Sequence, residues 1–380
     1  MTDLHSKYPA ISDLRDAAYR RIPRFAWEYL DSATGTEATK QRNRAALDRI
    51  GLVPSILHGE IEVDLSVNLL GREVPLPFGV APVGMSGLMW PDAEGHIARA
   101  AAKAGIPYTL STVASQSPED LAPHLGAEAW FQMYPPRDED VRRDMLARAR
   151  SAGFHTLVLT VDVPVASRRE RQTRSGLTQP PRLTPRLLAQ VAACPAWALG
   201  MARRGMPRMR GLDKYTAKTA TALSSTQHAG YLLRTSPDWD YVKWLRDAWE
   251  GSFVIKGVLR IEDAAKLENL GVDALWVSNH AGRQFDAAPA AIDVLPGMRK
   301  ASKLPLIFDS GIEGGLDILR AIASGADFVM LGRAFHFALA ALGPTGLDHL
   351  IDLLKKDLEA NMGQLGARSL ANLPPTLRFD

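Results

Sequence analysis

A single cysteine, Cys194, occurs among the 380 residues. This excludes an intrachain disulfide and a cysteine-built metal site, and points to a reducing, cytoplasmic setting. No run of about 18 uncharged apolar residues is present, so no membrane-spanning helix is expected. The stretch 1–9 is polar and lacks an apolar signal core, which argues against export. No His or carboxylate group has metal-ligand spacing, so no metal is expected. Charge of one sign does not dominate either. The balance is 45 Lys and Arg against 42 Asp and Glu, a net +3, and nucleic acid is not an expected partner. The 46% of hydrophobic residues suffices for a large globular core.

The charge is unevenly placed. Between Ser167 and Lys214 there are eleven Lys or Arg against Glu170 and Asp213, leaving +9 there and −6 elsewhere. The stretch 181–210 mixes these arginines with Leu, Met and Trp197. Such a composition suits either a solvated lid or contact with an anionic membrane surface.

Eight short apolar runs recur: Phe78–Gly84, Tyr108–Thr112, Trp130–Tyr134, Thr156–Asp162, Phe253–Val258, Ala274–Asn279, Leu306–Ser310 and Phe328–Gly332. They are continuous rather than alternating, as in strands buried on both faces. Helical patterns lie between them at Glu94–Ala104, Asp138–Ala152, Glu262–Leu270, Ala291–Ser302 and Gly315–Ala323, several ending at a glycine. Repeated strand–helix units predict a parallel sheet, and eight of them an α/β fold of the (β/α)₈ TIM-barrel type. The alternative, an open doubly wound sheet, calls for a Gly-x-Gly-x-x-Gly turn after an early strand, and none is there. One barrel domain is expected over 1–380. A helical extension at 1–75, with helices at Ile11–Leu30 and Glu37–Ile50, would cover its bottom or side. A basic insertion at 167–236 would follow strand four, Trp239–Glu250 would be the helix before strand five, and Gly346–Met362 a last helix.

In such a barrel the active site lies at the C-terminal strand ends. Nearly every run ends in hydrogen-bonding groups: Ser111, Gln132 and Tyr134, Thr160 and Asp162, Lys256, Ser278, Asp309 and Ser310, and Arg333. After run six come His280 and Arg283, a proton acceptor near neutral pH beside a carboxylate-gripping cation. Lys256, flanked by Val254, Ile255 and Val258, calls for an anionic partner. Glycines at the last two strand-to-helix junctions, Gly311 and Gly332, suit a phosphate held on backbone N–H groups.

Ser278-Asn279-His280-Ala281-Gly282-Arg283-Gln284, Phe131-Gln132-Met133-Tyr134, Leu159-Thr160-Val161-Asp162, Ile255-Lys256-Gly257-Val258 and Asp309-Ser310-Gly311-Ile312 resemble the FMN-dependent α-hydroxy-acid dehydrogenase and oxidase family. The resemblance runs from Ile22-Pro23 to Gly366–Leu370, and Ala81-Pro82-Val83-Gly84 is most similar to its L-lactate dehydrogenase branch. It implies FMN as cofactor, oxidation of an (S)-2-hydroxy acid to the 2-oxo acid, and a homo-oligomer, commonly a tetramer. It implies that His280 is the base and that Asp162 orients it. Tyr134 would stand near the substrate hydroxyl, and Tyr29, Arg169 and Arg283 would address the carboxylate. Pro82, Val83, Gly84, Ser111, Gln132, Thr160, Lys256, Ser278, Asp309, Ser310, Gly311, Gly332 and Arg333 would contact FMN, with Lys256 stabilising negative charge on the reduced ring. His280 would take its proton either from the α-carbon or from the hydroxyl. Gly84 points to a quinone or another carrier as electron acceptor, with oxygen as the alternative. Small residues at Val113 and Ala166 leave room for lactate, a longer aliphatic acid or mandelate. A protein peripheral on the cytoplasmic membrane face is the matching location.

The pattern departs from the family at two places. Ala281 follows the base where the family has Gly, so a positive φ there would carry strain. Glu313 replaces an arginine that helps bind the FMN phosphate. Glu313 is expected to point away, leaving Arg333 and backbone N–H groups to hold the phosphate. An FMN barrel isomerase, or a barrel that binds without catalysis, are the competing readings.

Overall fold

A computed structural model describes residues 3–176, 184–216 and 236–379. Eight parallel strands close into a barrel: Phe78–Val80, Tyr108–Ser111, Ala129–Met133, Thr156–Thr160, Ser252–Lys256, Ala274–Val277, Leu306–Phe308 and Phe328–Leu331. Each pairs with the next, and the eighth closes on the first through Val329 opposite Phe78. The expected barrel is borne out, and closure excludes the open sheet. The strands stop short of the apolar runs because the chain leaves the sheet at the mouth. After the first strand, for example, Pro82 has no N–H for a ladder, and Met85 turns into the left-handed region at φ 52°.

The helices follow the predicted pattern, and Gly105, Gly153, Gly271 and Gly325 all take positive φ where helices end. A helix at Arg333–Leu342 follows strand eight, and the last helix spans Pro344–Leu365.

The N-terminal extension differs from expectation. Ile11–Leu30 is two helices, Ile11–Arg21 and Arg24–Asp31. Pro23 holds Ile22 extended (φ −116°, ψ 149°) and ends the first. Ile11–Arg21 does pack on the barrel's side, along Arg333–Leu342. Arg24–Asp31 and the next helix, Ala38–Asp48, instead reach the mouth. Tyr29 Oη donates to Gly84 O at 3.1 Å, Asn43 Nδ2 donates to Asn279 Oδ1 at 2.8 Å, and Arg44 donates to Gly311 O at 2.9 Å.

The bottom is closed by a hairpin that sequence reasoning missed, Val67–Leu69 with Arg72–Val74. Its turn residues Leu70 and Gly71 both have positive φ (53° and 79°), the geometry favoured in two-residue hairpin loops. Leu69 and Val74 pack beneath Trp130, Val158, Val254, Trp276 and Phe328, which fill the barrel interior.

Candidate active site

One cavity of about 610 Å³ opens at the C-terminal strand ends, within the range of small-ligand sites. Most of the residues singled out from the sequence line it: Tyr29, Pro82, Val83, Gly84, Gln132, Tyr134, Thr160, Arg169, Lys256, His280, Arg283, Asp309, Ser310, Gly311, Gly332 and Arg333. Ser111, Asp162 and Ser278 stand behind it and hold residues that do line it. Ser111 Oγ donates to Gln132 Oε1 at 2.9 Å, while Gln132 Nε2 is buried with no partner among the described residues. Ser278 Oγ accepts from Lys256 Nζ at 2.8 Å and from the His280 N–H at 3.0 Å. The anionic partner expected for Lys256 is Asp309, 3.1 Å away.

His280 sits in a turn of three left-handed residues, with φ 55° at His280, 54° at Ala281 and 75° at Gly282. Glycine is needed at 282 for a second reason: a Cβ there would lie 2.8 Å from the Lys40 backbone nitrogen. Ala281 carries the strain anticipated for it, and its N–H donates to Ser310 Oγ at 3.1 Å. His280 Nδ1 lies 3.0 Å from Asp162 Oδ1. Burial works against the Asp162 carboxylate, yet the adjacent His280 and Lys256 hold its pKa below the ordinary value. An ionised Asp162 accepts the Nδ1 proton, so Nε2 is the free acceptor. Burial also lowers the His280 pKa, against the pull of Asp162, so the ring is neutral at neutral pH.

Arg283 is held by the end of the helix Arg24–Asp31, donating to the carbonyls of Tyr29 (2.8 Å), Leu30 (3.1 Å) and Ser32 (2.9 Å). Burial, then the nearby Arg169, depress its pKa. Arg169 has a left-handed backbone (φ 46°) and its Nε donates to Ser167 Oγ at 3.1 Å. Neither arginine has a carboxylate partner among the described residues, so the pair is prepared for an anion. Tyr134 is held in its neutral form, its pKa raised by burial and by Asp162.

The wall around Arg333 corrects one expectation and narrows another. Glu313 does not point away: it lines the cavity and its charge bears on Arg333. Two of the backbone N–H groups after strand seven are already used, because Glu313 N donates to Asp317 Oδ2 at 3.0 Å and Gly315 N to Asp357 Oδ2. Sequence reasoning also missed Arg15, Lys40, Met209 and Gln284, which line the cavity. Gln284 lay inside the motif that was read, and both its amide atoms are buried without a partner among the described residues. The other three gave no local signal.

The donor set fits the FMN implied by the motifs. Gln132 Nε2 is an unused buried donor suited to a ring carbonyl, and Lys256 is a charge 4% exposed in the wall. Arg333 stands at the Gly332 junction with no ion pair among the described residues.

A sequence profile described as FMN-dependent dehydrogenase matches residues 18–378. The L-lactate dehydrogenase of Xanthobacter autotrophicus is 39% identical over 367 residues, 95% of this chain and 94% of that protein. That of Caulobacter vibrioides is also 39% identical, over 96% of each. Among solved structures, the monotopic membrane protein (S)-mandelate dehydrogenase superposes with a TM-score of 0.92 at 32% identity, covering 97% of this chain and 99% of that one.

Proposed function

Since this chain belongs to the FMN-dependent dehydrogenase family, we propose that it oxidises an (S)-2-hydroxy acid with an apolar side chain to the 2-oxo acid and passes the electrons to a quinone or another carrier. The observation that carries this reading is the pairing of His280 with Asp162 beside two arginines that lack carboxylate partners among the described residues. Arg169 and Arg283 grip the substrate carboxylate, with Tyr29 at their side. His280 Nε2 accepts a proton from the substrate, either from the α-carbon or from the hydroxyl, and Asp162 stabilises the imidazolium that results. Tyr134, kept neutral, can donate to the substrate oxygen. Bound FMN supplies the two-electron acceptor. Gln132, Thr160 and Lys256 hold it, and Lys256 sets a positive charge against it. Val113, Val163, Ala166 and Met209 form an apolar part of the wall, which suits lactate, a longer aliphatic acid or mandelate.

The insertion supports a membrane-proximal acceptor. Leu188, Leu199 and Met206 are more than half exposed, and Arg186, Arg203, Arg204 and Arg208 are exposed around them. This is the surface expected of a peripheral contact with anionic lipid. Residues 181–183 of that stretch lie outside the described residues. Trp197, grouped with this surface in the sequence, is not part of it: it is 2% exposed, packs on Phe25 and donates to Leu88 O. No helix among the described residues is long and apolar enough to cross a membrane. A homo-oligomer, a tetramer by family resemblance, completes the proposal.

The purified protein should be yellow, and anaerobic L-lactate or (S)-mandelate should bleach it. His280→Ala should keep the colour and lose the bleaching. A protein that takes up no flavin even when FMN is added would refute the reading. Flotation with anionic liposomes at low salt tests the membrane contact, and a protein left wholly in solution would exclude it.

A further inference from the structure

Two cations meet at one atom in the cavity wall. Lys40 Nζ and Arg333 Nη1 both donate to Asp31 O, at 2.7 and 3.4 Å. Their nitrogens are therefore no farther apart than the sum of those two distances. Both side chains line the cavity. The Asp31 carboxylate offsets part of this charge, but it is shared by Lys40 (3.0 Å), Arg171 (3.0 Å) and Arg15 (3.2 Å). Lys40 Nζ has three N–H donors. Two go to Asp31, to its backbone O and to Oδ2, and the third has only Glu37 Oε2 near it, at 3.8 Å, beyond hydrogen-bond distance. Burial and the Arg333 charge both disfavour the protonated lysine, and a bound anion would relieve this.

Several other candidates for an anion here are already committed. The N–H groups of Glu313 and Gly315 are capped by Asp317 and Asp357. Arg44 is paired with Asp317 and Asp48. Glu313 adds negative charge to the wall, against Arg333.

We propose that Lys40, from the N-terminal extension, is with Arg333 the phosphate-binding cation of this protein, and that Glu313 opposes it and weakens phosphate binding. The inference rests on the flavin reading above and assigns the phosphate end of that site to a helix outside the barrel. Lys40 touches the phosphate monoester and takes no part in the chemistry at His280.

The test is flavin binding, read by quenching of flavin fluorescence on titration into deflavinated protein, with FMN and riboflavin compared. Riboflavin lacks the phosphate and serves as the internal control for folding and for the ring site. Lys40→Gln should weaken FMN about tenfold or more, the loss of a charge-assisted contact, and leave riboflavin unchanged. Lys40→Arg should restore most of the FMN affinity. Glu313→Gln, at an exposed position, should tighten FMN severalfold and leave riboflavin unchanged. Equal effects of Lys40→Gln on both flavins, or unchanged FMN affinity in Lys40→Gln and Glu313→Gln, would overturn the assignment. If the unsubstituted protein binds neither flavin, the flavin reading fails and the assignment fails with it. That outcome is distinguished by its appearing before any substitution.

Discussion

On one side of the end of Arg24–Asp31, Arg283 is held by the carbonyls of Tyr29, Leu30 and Ser32, and neither it nor Arg169 meets a carboxylate among the described residues. Beside it Lys40 and Arg333 meet the carbonyl of Asp31, but there the Asp31, Glu37 and Glu313 carboxylates already stand among the cations. Both groups use the same device, the unpaired carbonyls at the C-terminus of Arg24–Asp31, which attract cations. They differ in how much charge is left over. Carbonyls position a guanidinium without cancelling its charge, whereas carboxylates position and cancel. Arg283 and Arg169 are therefore primed for a small anion that must bind and leave, and the Lys40 and Arg333 pair is partly neutralised before any ligand arrives.

This contrast sets the order of expected effects. The largest belongs to the base. Asp162→Asn should cut kcat by about 10²–10⁴-fold, the usual contribution of positioned acid–base catalysis, measured by anaerobic flavin bleaching. Its pH dependence has a definite sign. His280 must be neutral to act, and its pKa lies below the ordinary 6.5, so the acid limb of kcat/KM should fall below that value. Removing the Asp162 charge takes away a stabiliser of the imidazolium, so the limb should move to still lower pH. A shift upward would contradict the assigned pair.

Next comes the unneutralised clamp. Arg283→Gln should lower kcat/KM by about 100-fold, as the loss of a charged contact and of its carbonyl partners implies. Steady-state kinetics with an artificial acceptor would show it. A smaller change is expected at Arg171, which bridges Glu28 (2.5 Å), Glu37 (2.8 Å) and Asp31 (3.0 Å) just beyond Arg169 in the chain. It is a positioning residue. Arg171→Gln should raise KM about tenfold with kcat little changed, and an equal fall in kcat would argue against that role.

The smallest effects concern the turn between base and clamp, where two adjacent residues should respond oppositely. Ala281→Gly should stabilise the protein by about 1 kcal/mol by relieving left-handed strain. Gly282→Ala should destabilise it, because the new Cβ would meet the Lys40 backbone 2.8 Å away. Urea denaturation of both variants checks the pair.

Much of this was legible in the chain. Eight continuous apolar runs predict a barrel because a strand buried on both faces cannot alternate. The polar residues that end those runs then fall at one mouth, and this placed Gln132, Thr160, Lys256 and His280 on the cavity wall. The hairpin under the barrel was not legible, since its strands are short and only Gly71 marks its turn. Nor was Lys40, which reads as one more solvated charge on an amphipathic helix.

The sequence by itself determined the barrel, the base and its flanking arginine, because periodicity and strand ends are local properties that a chain carries wherever it folds. Only the tertiary structure decided that the end of Arg24–Asp31 is wedged between strands six and eight at the mouth, so that its carbonyls collect Arg283, Lys40 and Arg333. Those cations are held by segments far apart in the chain. Their spare charge is a balance of neighbours in space, which no local pattern records.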